Sequence, residues 1–523
     1  MKFIARFLYV PLAGLLVLTS CAKDETESYD KFENQALEAW MTQHRSDLVE
    51  NLQSEGLYYV DLLDAGDLAS DPINTEDIWV SFDFSGRDLS GNIILTRNAD
   101  DAVLAGSFSK YTHYVPFYRY CGSENSGLME GTWLAMRRTL TLGDTYFRNN
   151  KDRLGITSPE VTLRYGSKIR LYMPSSVVGN GVEGTGGYEG QEGYSLSSKR
   201  PFIVTMEIRD TVSNPLEREG TDVDDFCELN GGLQIYSKGD DDTPATEVPE
   251  DPEDPEHPYN ETSKRWVSAC DSIPQVYVNV RYNPAEPRDQ LSFPAPYHVG
   301  YEPYVSEASV RDIDMQIAEA LKKRFHGEGD DYQKYEGVKA LEADSVTLDG
   351  TAKIWYIGRF LDGFIFDTNI DEVKQIIYGE VRKTGSAHSY DVQNPDLITA
   401  FYYIVPHLKY GQWATMVTTS TNAYGTTGKS GGSSTSTSSN GYTSSYYDYL
   451  NYLNYSQMYY GNNGYYGGYY NDYYGYGGLG NYGYYGGYYG GYGGNYDSGE
   501  TTTTTKVYTD IPSFSPLIFQ IYI

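Results

Sequence analysis

Between Gly441 and Tyr496 the chain places 22 tyrosines among glycines, with almost no Val, Ile or Phe. Glycine at that density opposes a packed core, because each ordered Gly loses more backbone entropy than any other residue. The stretch before it, Ser430 to Asn440, is rich in Ser, Thr and Gly. The fold must therefore be carried by the rest of the 523 residues. The segment must also return to that fold, since a strand pattern resumes at Leu517 to Ile521. Tyrosine joins a wide apolar face to a hydroxyl at low rotamer cost, the combination found in adaptable binding loops. A partner-docking loop that orders on binding is the expectation, with a solvated spacer, self-association and glycan stacking as alternatives.

The whole chain carries 72 acidic against 40 basic residues, a net charge of −32. No dense Lys/Arg cluster offsets it, which excludes nucleic acid as a partner. Lys2 and Arg6 precede an apolar run from Phe7 to Leu18, too short for a stable bilayer span and matching a secretory leader, so a signal peptide is expected over 1–20. The run ends in Leu18-Thr19-Ser20-Cys21, which resembles the lipobox of bacterial lipoproteins and makes Cys21 the expected lipidation site, with 21–28 as a tether. Ala22-Lys23-Asp24-Glu25 resembles the Lys-acid-acid tag of surface lipoproteins in some Gram-negative phyla. The expected location is the outer membrane, lipid-anchored, at the cell surface or on the periplasmic face. Acyl chains would supply the membrane affinity. Of the remaining cysteines, Cys121, Cys227 and Cys270, the last two could pair or remain separate buried thiols. Neither CxxC nor HExxH occurs, so no metal and no cofactor are expected.

From Tyr29 to Leu52, the residues Phe32, Ala36, Leu37, Trp40, Met41, Leu48 and Leu52 recur mostly at three- and four-residue spacing, which predicts an amphipathic helix over 29–54. Gly56-Leu57-Tyr58-Tyr59-Val60 then opens a strand-rich region. Alternation at Trp79, Phe82 and Phe84, at Lys168 to Tyr172 and at Phe202 to Met206 predicts antiparallel strands, hence a β-sheet domain with few helices over 55–215. Between Asp240 and Glu261 lie ten acidic residues, no Lys or Arg, and prolines at 244, 249, 252, 255 and 258. This composition predicts an extended linker over 239–264. Proline every third residue opposes the Gly-centred turn of a calcium loop. A strand at Val276–Val280 and an amphipathic helix at Ser309–Phe325 occupy 265–345. They precede a second module over 346–523, with strands at Ala352–Ile357, Trp413–Thr418 and Leu517–Ile521 and with 429–506 inserted. Helix followed by strands thus occurs twice, which predicts two related modules.

In the second module, Tyr356-Ile357-Gly358-Arg359-Phe360-Leu361-Asp362-Gly363-Phe364-Ile365-Phe366-Asp367 resembles the Y-x-G-x-L-x-D-G-x-x-F-D signature of FKBP-type peptidyl-prolyl isomerases. Further stretches follow in family order. Leu397-Ile398-Thr399-Ala400-Phe401 is similar to V-I-x-G-W, and Leu408-Lys409-Tyr410-Gly411-Gln412 to M-x-x-G-x. Ala423-Tyr424-Gly425 with Gly428 is similar to the A-Y-G-x-x-G loop, and Ile511-Pro512 through Pro516-Leu517-Ile518-Phe519 to the terminal I-P-P and L-x-F elements. The resemblance implies an α+β fold of two FKBP-like domains, each an antiparallel half-barrel sheet wrapped on a short helix. It also implies a catalytic pocket of Tyr356, Phe366, Asp367, Phe401, Tyr424 and Phe519, with Tyr390, Leu397 and Ile398 lining it for substrate. In that arrangement Phe401 is the floor, Phe366 and Phe519 are walls, the Tyr424 hydroxyl meets a substrate carbonyl and Asp367 orients the site.

Chemistry agrees with such a set. Rotation about an Xaa-Pro amide is opposed by a resonance barrier of about 18–20 kcal/mol, and lowering it needs no nucleophile or metal. An apolar cup that strips water from the carbonyl weakens the charge-separated resonance form, and a few donors favour the twisted geometry. The departures are Ala400 for the usual Gly, Phe401 for Trp, and the insertion. They bear on turnover more than on binding.

The first module resembles the same family with its pocket lost: Phe84 stands in place of Tyr, Ile94 and Leu95 in place of Phe-Asp, Thr132 in place of Trp and Val178 in place of the loop Tyr. It also holds Gly179-Asn180-Gly181-Val182-Glu183-Gly184, a GxGxxG with no helix pattern directly after it and so no nucleotide site. The resulting expectation is an outer-membrane lipoprotein of the FKBP type that assists folding or assembly of envelope proteins. Its partners would be Xaa-Pro clients, the membrane through the lipid, and an outer-membrane complex through the Tyr/Gly insertion. The alternatives are a non-catalytic structural or docking subunit of such a complex and a glycan-binding surface protein.

Overall fold

The computed structural model describes residues 29–125, 128–178, 201–234, 266–270, 273, 275–280, 293–326, 346, 350–405, 408, 410, 411, 413–429, 431, 433–438, 501–506 and 509–523. The expected signal peptide, Cys21 and its expected tether, the GxGxxG stretch, the acidic Pro-rich stretch and the Tyr/Gly segment lie outside these residues.

The first helix, α1 (Tyr29–His44), buries Leu37 and Met41, and a 3-10 turn follows at Ser46–Asn51. The sequence pattern predicts one uninterrupted helix, and Arg45 breaks it, with φ −141° and ψ 52°. Its guanidinium bonds Asp61 at 2.9 Å and the Tyr172 hydroxyl at 2.6 Å. Tertiary contacts thus override helical periodicity at that one residue.

Six strands form the first sheet: β1 (Tyr59–Ala65), β2 (Ile78–Asp88), β3 (Ile93–Thr96), β4 (Phe117–Cys121), β5 (Ser167–Met173) and β6 (Phe202–Val212). Their order is β1-β5-β6-β2-β3, with β4 also on β2, and every pair is antiparallel. The three strands read from alternation are β2, β5 and β6. The region holds more helix than its strand pattern suggests, including α2 (Ala99–Leu104), α3 (Glu130–Arg137) and α4 (Asp144–Leu154).

An eight-stranded second sheet contains β7 (Leu233–Gln234), β8 (Trp266–Ser268), β9 (Val276–Val280), β10 (Thr351–Phe360), β11 (Ile365–Thr368), β12 (His388–Asp391), β13 (Trp413–Thr418) and β16 (Leu517–Tyr522). The order is β11-β10-β16-β13-β9-β8-β7, with β12 on β10. The strand at Val276–Val280, expected to precede the second module, is a member of its sheet, paired along its length with β13. Between β13 and β16, β14 (Ser433–Ser438) and β15 (Thr501–Lys506) pair in register from Ser433↔Lys506 to Ser438↔Thr501, beside a bridge between Lys429 and Ile511.

The two sheets repeat one connectivity. Replacing β1, β2, β3, β4, β5 and β6 by β9, β10, β11, β12, β13 and β16 converts the first order into the core of the second. The irregularities repeat as well. A bulge falls between Gly86 and Arg87 where β2 meets β3, and between Gly358 and Arg359 where β10 meets β11.

A helix precedes each sheet: α1 before the first and α5 (Pro215–Leu229) before the second. In α1, Glu33 accepts hydrogen bonds from the N–H and hydroxyl of Ser175, just past β5. In α5, Glu219 accepts the same pair from Ser420, just past β13. The periodicity reading did not include α5. Its start is nonetheless signalled by Asn214, whose side chain accepts from the Leu216 N–H, and by Pro215 in its first turn. Its buried stripe of Val223, Phe226 and Cys227 is masked by the acids around it. The helix α6 (Glu307–His326) covers the back of the second sheet, burying Ile313, Ile317, Leu321 and Phe325 against Ile357, Trp413 and Tyr522.

Cys121 and Cys227 are buried free thiols, so Cys227 does not pair with Cys270. Burial pushes the Cys121 thiol up to about 11. The sheets meet through His113, whose Nε2 lies 2.7 Å from Asp362, and through stacked Tyr111 and Tyr378 rings 4.1 Å apart.

Candidate functional site

Gly358 opens the middle of β10. A Cβ there would lie 2.6 Å from Cζ of Phe366, so only glycine admits that ring across the strand. Gly358 pairs with Asp367 on one side and with Phe519 on the other. This register brings the Phe-Asp pair of β11 and the aromatic of the closing strand to one point.

Phe519 is the hub of the cluster. It meets Phe366 edge-on at 5.7 Å and 87°, Phe401 at 5.2 Å and 74°, and Tyr356 at 6.2 Å. Edge-to-face contact sets the positive rim of one ring on the negative face of another. Phe401 reaches the hub from the short helix α8 (Thr399–Ile404), which follows α7 (Asp371–Tyr378) and has Ile398 at its N-cap.

At the open side, the Tyr356 hydroxyl donates to Asp367 Oδ2 at 2.8 Å. Burial holds the Asp367 carboxyl above its ordinary range, opposed by that hydrogen bond and by the charge of Lys429. Burial, with the Asp367 charge, pushes the Tyr424 phenol up to about 12, so it stays a neutral donor at physiological pH. The Lys429 ammonium stands 4.8 Å from the Tyr424 ring centre.

A cavity of about 430 Å³ opens on these groups. Tyr356, Phe366, Asp367 and Tyr424 line one part, and Lys374, Lys383, Ser386 and Lys429 line another. Four of the nine pocket residues expected from sequence therefore share one cavity. Phe401 and Phe519, 2% and 3% exposed, form the packed layer behind it. Leu397 and Ile398 are partly buried against the same cluster.

Tyr390 differs from its expected role. It lies in the core at 0% exposure, opposite Ala352, and its hydroxyl has no hydrogen-bond partner among the described residues. The alternation of β12 turns its ring into the layer between β10 and α8 rather than onto the cavity. An unpaired buried hydroxyl is destabilising by about 1–3 kcal/mol. Tyr390→Phe is therefore expected to raise stability by roughly 1 kcal/mol in urea unfolding, and a loss would show that the hydroxyl has a partner.

Sequence reading missed Glu219, which clasps Ser420 four positions before Tyr424. Only the fold brings it there, and no local pattern marks it. Burial pushes its carboxyl up to about 7, against the Ser420 hydrogen bonds that oppose the shift. An unfolded Glu titrates near 4.5. As pH rises from there to about 7, the unfolded state releases its proton first, so the Glu219 contribution falls with rising pH. Over that window Glu219→Gln is expected to flatten the stability–pH curve relative to wild type, and parallel curves would refute this.

The register of the first sheet shows what stands in the same places. Phe84 occupies the position of Tyr356, Ile94 that of Phe366, Leu95 that of Asp367 and Val204 that of Phe519. Phe84, Leu95 and Val204 are 4%, 3% and 0% exposed, and Thr132 on α3 is 2% exposed. Counted from the strand ends, Val178 matches Ala423 rather than Tyr424. Thr132 is thus the one side chain with a hydroxyl among these four buried positions.

No family model matches the chain, and no characterised protein matches it by sequence. Solved FKBP-type structures are among its matches. FkpA from Escherichia coli has a TM-score of 0.21 and 11% identity, with 40% of this chain and 73% of that one covered. A peptidyl-prolyl cis-trans isomerase from Pseudomonas syringae pv. tomato has 0.20 and 14%, covering 35% and 95%. The three FKBP domains of wheat FKBP73 have 0.18 and 9%, covering 90% and 93%. Overlap at these scores carries no argument about function, which rests on the chain's own residues. Among the described residues no three His, Cys, Asp or Glu side chains converge as metal ligands.

Proposed function

We propose that the second sheet is an Xaa-Pro-binding module of the FKBP type, and that the chain is an envelope lipoprotein, anchored through Cys21, that assists folding or assembly of outer-membrane proteins. The observation that carries this reading is the hydrogen-bonded Tyr356–Asp367 pair beside Tyr424, at the mouth of a cavity backed by Phe519, which meets both Phe366 and Phe401 edge-on. The repeated strand order supports a first module of the same descent, and its apolar replacements at the pocket positions suit a packing role. The lipobox-like Leu18 to Cys21 supports the anchor.

One feature favours a second reading, a docking subunit without turnover. Phe366, Phe401 and Phe519 are only 2–3% exposed, so the apolar hole is filled largely by the protein's own rings. Accelerated cis-trans exchange of an Xaa-Pro peptide, measured by NMR, separates the two. Turnover by wild type that is lost in Asp367→Ala/Tyr424→Phe supports the isomerase. Equal rates for both proteins, with peptide still bound, leave a docking module.

A further inference from the structure

The cavity at the proline site gathers three lysines in a chain that is strongly negative. Among the described residues Lys374, Lys383 and Lys429 line it with the carboxylate of Asp367, and two further carboxylates hold its wall, Asp371 on the Gly385 N–H and Asp510 on the Gly431 N–H, while the chain as a whole has 72 acidic and 40 basic residues. The lysines reach it from separate segments: Lys374 from α7, Lys383 from the turn after it, and Lys429 from the loop that carries Tyr424. Lys374 is partly committed, with its ammonium 3.2 Å from Asp371 and donating to the Lys383 carbonyl at 2.6 Å. Lys429 stands over the Tyr424 ring, the residue expected to meet the substrate backbone. The Gly385 N–H is fixed by Asp371, so the backbone of that wall is held in place.

We infer that the site selects prolyl segments with an acidic residue next to the proline, the flanking carboxylate lying against Lys383 and Lys429 while the proline ring approaches the Phe366 face. The inference rests on the Xaa-Pro reading above and names its substrate class. Opposite charges at the rim of a partly dry cavity add selectivity more than raw affinity, and salt screens them. The chain itself contains sequences of this class: Asp251-Pro252-Glu253 and Asp254-Pro255-Glu256.

The test is binding of three labelled peptides to the full chain: Ala-Glu-Pro-Glu-Phe, its Gln-Pro-Gln counterpart and its Lys-Pro-Lys counterpart. The Glu peptide is expected to bind roughly three- to ten-fold tighter than the Gln peptide at low salt, a preference shrinking in high salt. Lys383→Gln/Lys429→Gln should bring the ratio towards one, and Lys429→Arg should keep it. Equal affinity for Glu and Gln peptides overturns the charge selection while leaving Xaa-Pro binding standing. A preference that survives the double substitution overturns the assignment to these lysines. Failure of all three peptides to bind removes both this inference and the reading beneath it.

Discussion

Arg359→Met is expected to destabilise the second sheet by about 3–5 kcal/mol. Arg359 is 2% exposed on β10, and its guanidinium lies 2.7 Å from Asp314 of α6 and donates to Gln520 of β16 at 2.8 Å. Three elements thus meet at one buried cation. Removing it strands the Asp314 carboxylate, which burial already holds above its ordinary range. A buried ion pair gives little net stability over an apolar pair of the same size, but a buried half-pair is costly. Urea unfolding should therefore show Asp314→Leu restoring most of what Arg359→Met removes. The single variant should also recover as pH falls and Asp314 takes up a proton. A loss below about 1 kcal/mol, with no rescue, would mean that water reaches the pair.

Phe519→Ala is expected to cost a similar amount, about 3–5 kcal/mol, through the void it leaves among packed rings. The residue is 3% exposed and touches Phe366, Phe401 and Tyr356 together. Phe519→Leu keeps most of the volume and should cost under about 1.5 kcal/mol. The loss belongs to the second sheet, so hydrogen exchange should quicken in 351–360, 413–418 and 517–522 and stay slow in the strands of the first. Xaa-Pro binding should weaken with it, because the aromatic layer supports the cavity wall. Uniform acceleration across both sheets would instead place Phe519 in a core shared by the whole chain.

The strands most legible in the sequence were those with one buried face. Phe82 and Phe84 alternate on the buried face of β2, the register shift between Ser81 and Phe82 breaks that spacing before Trp79, and Val276–Val280 was bounded at the residues observed. The fully buried β13 and β16 were legible as apolar runs. Membership was less legible than existence. That β9 belongs with β13, far along the chain, depends on pairing that no local pattern carries. At the site, Tyr356, Phe366, Asp367 and Tyr424 were named by the family resemblance, and the structure brings these four to one cavity. Tyr390 was misplaced because strand alternation, not residue type, decides which face a ring takes. Glu219 and Lys383 were missed because their relevance is purely spatial, one coming from α5 and the other from the turn after α7.

The ladder between β14 and β15 has a consequence for how this gene can change. Ser438 and Thr501 are register partners, so whatever is encoded between them starts and finishes at adjacent points. Chain closure across such a gap costs only about 0.6 kcal/mol for each doubling of length. Repeats can therefore be gained or lost there with little effect on the sheet, so the length of that segment and the identity of the pocket residues can come under separate selection.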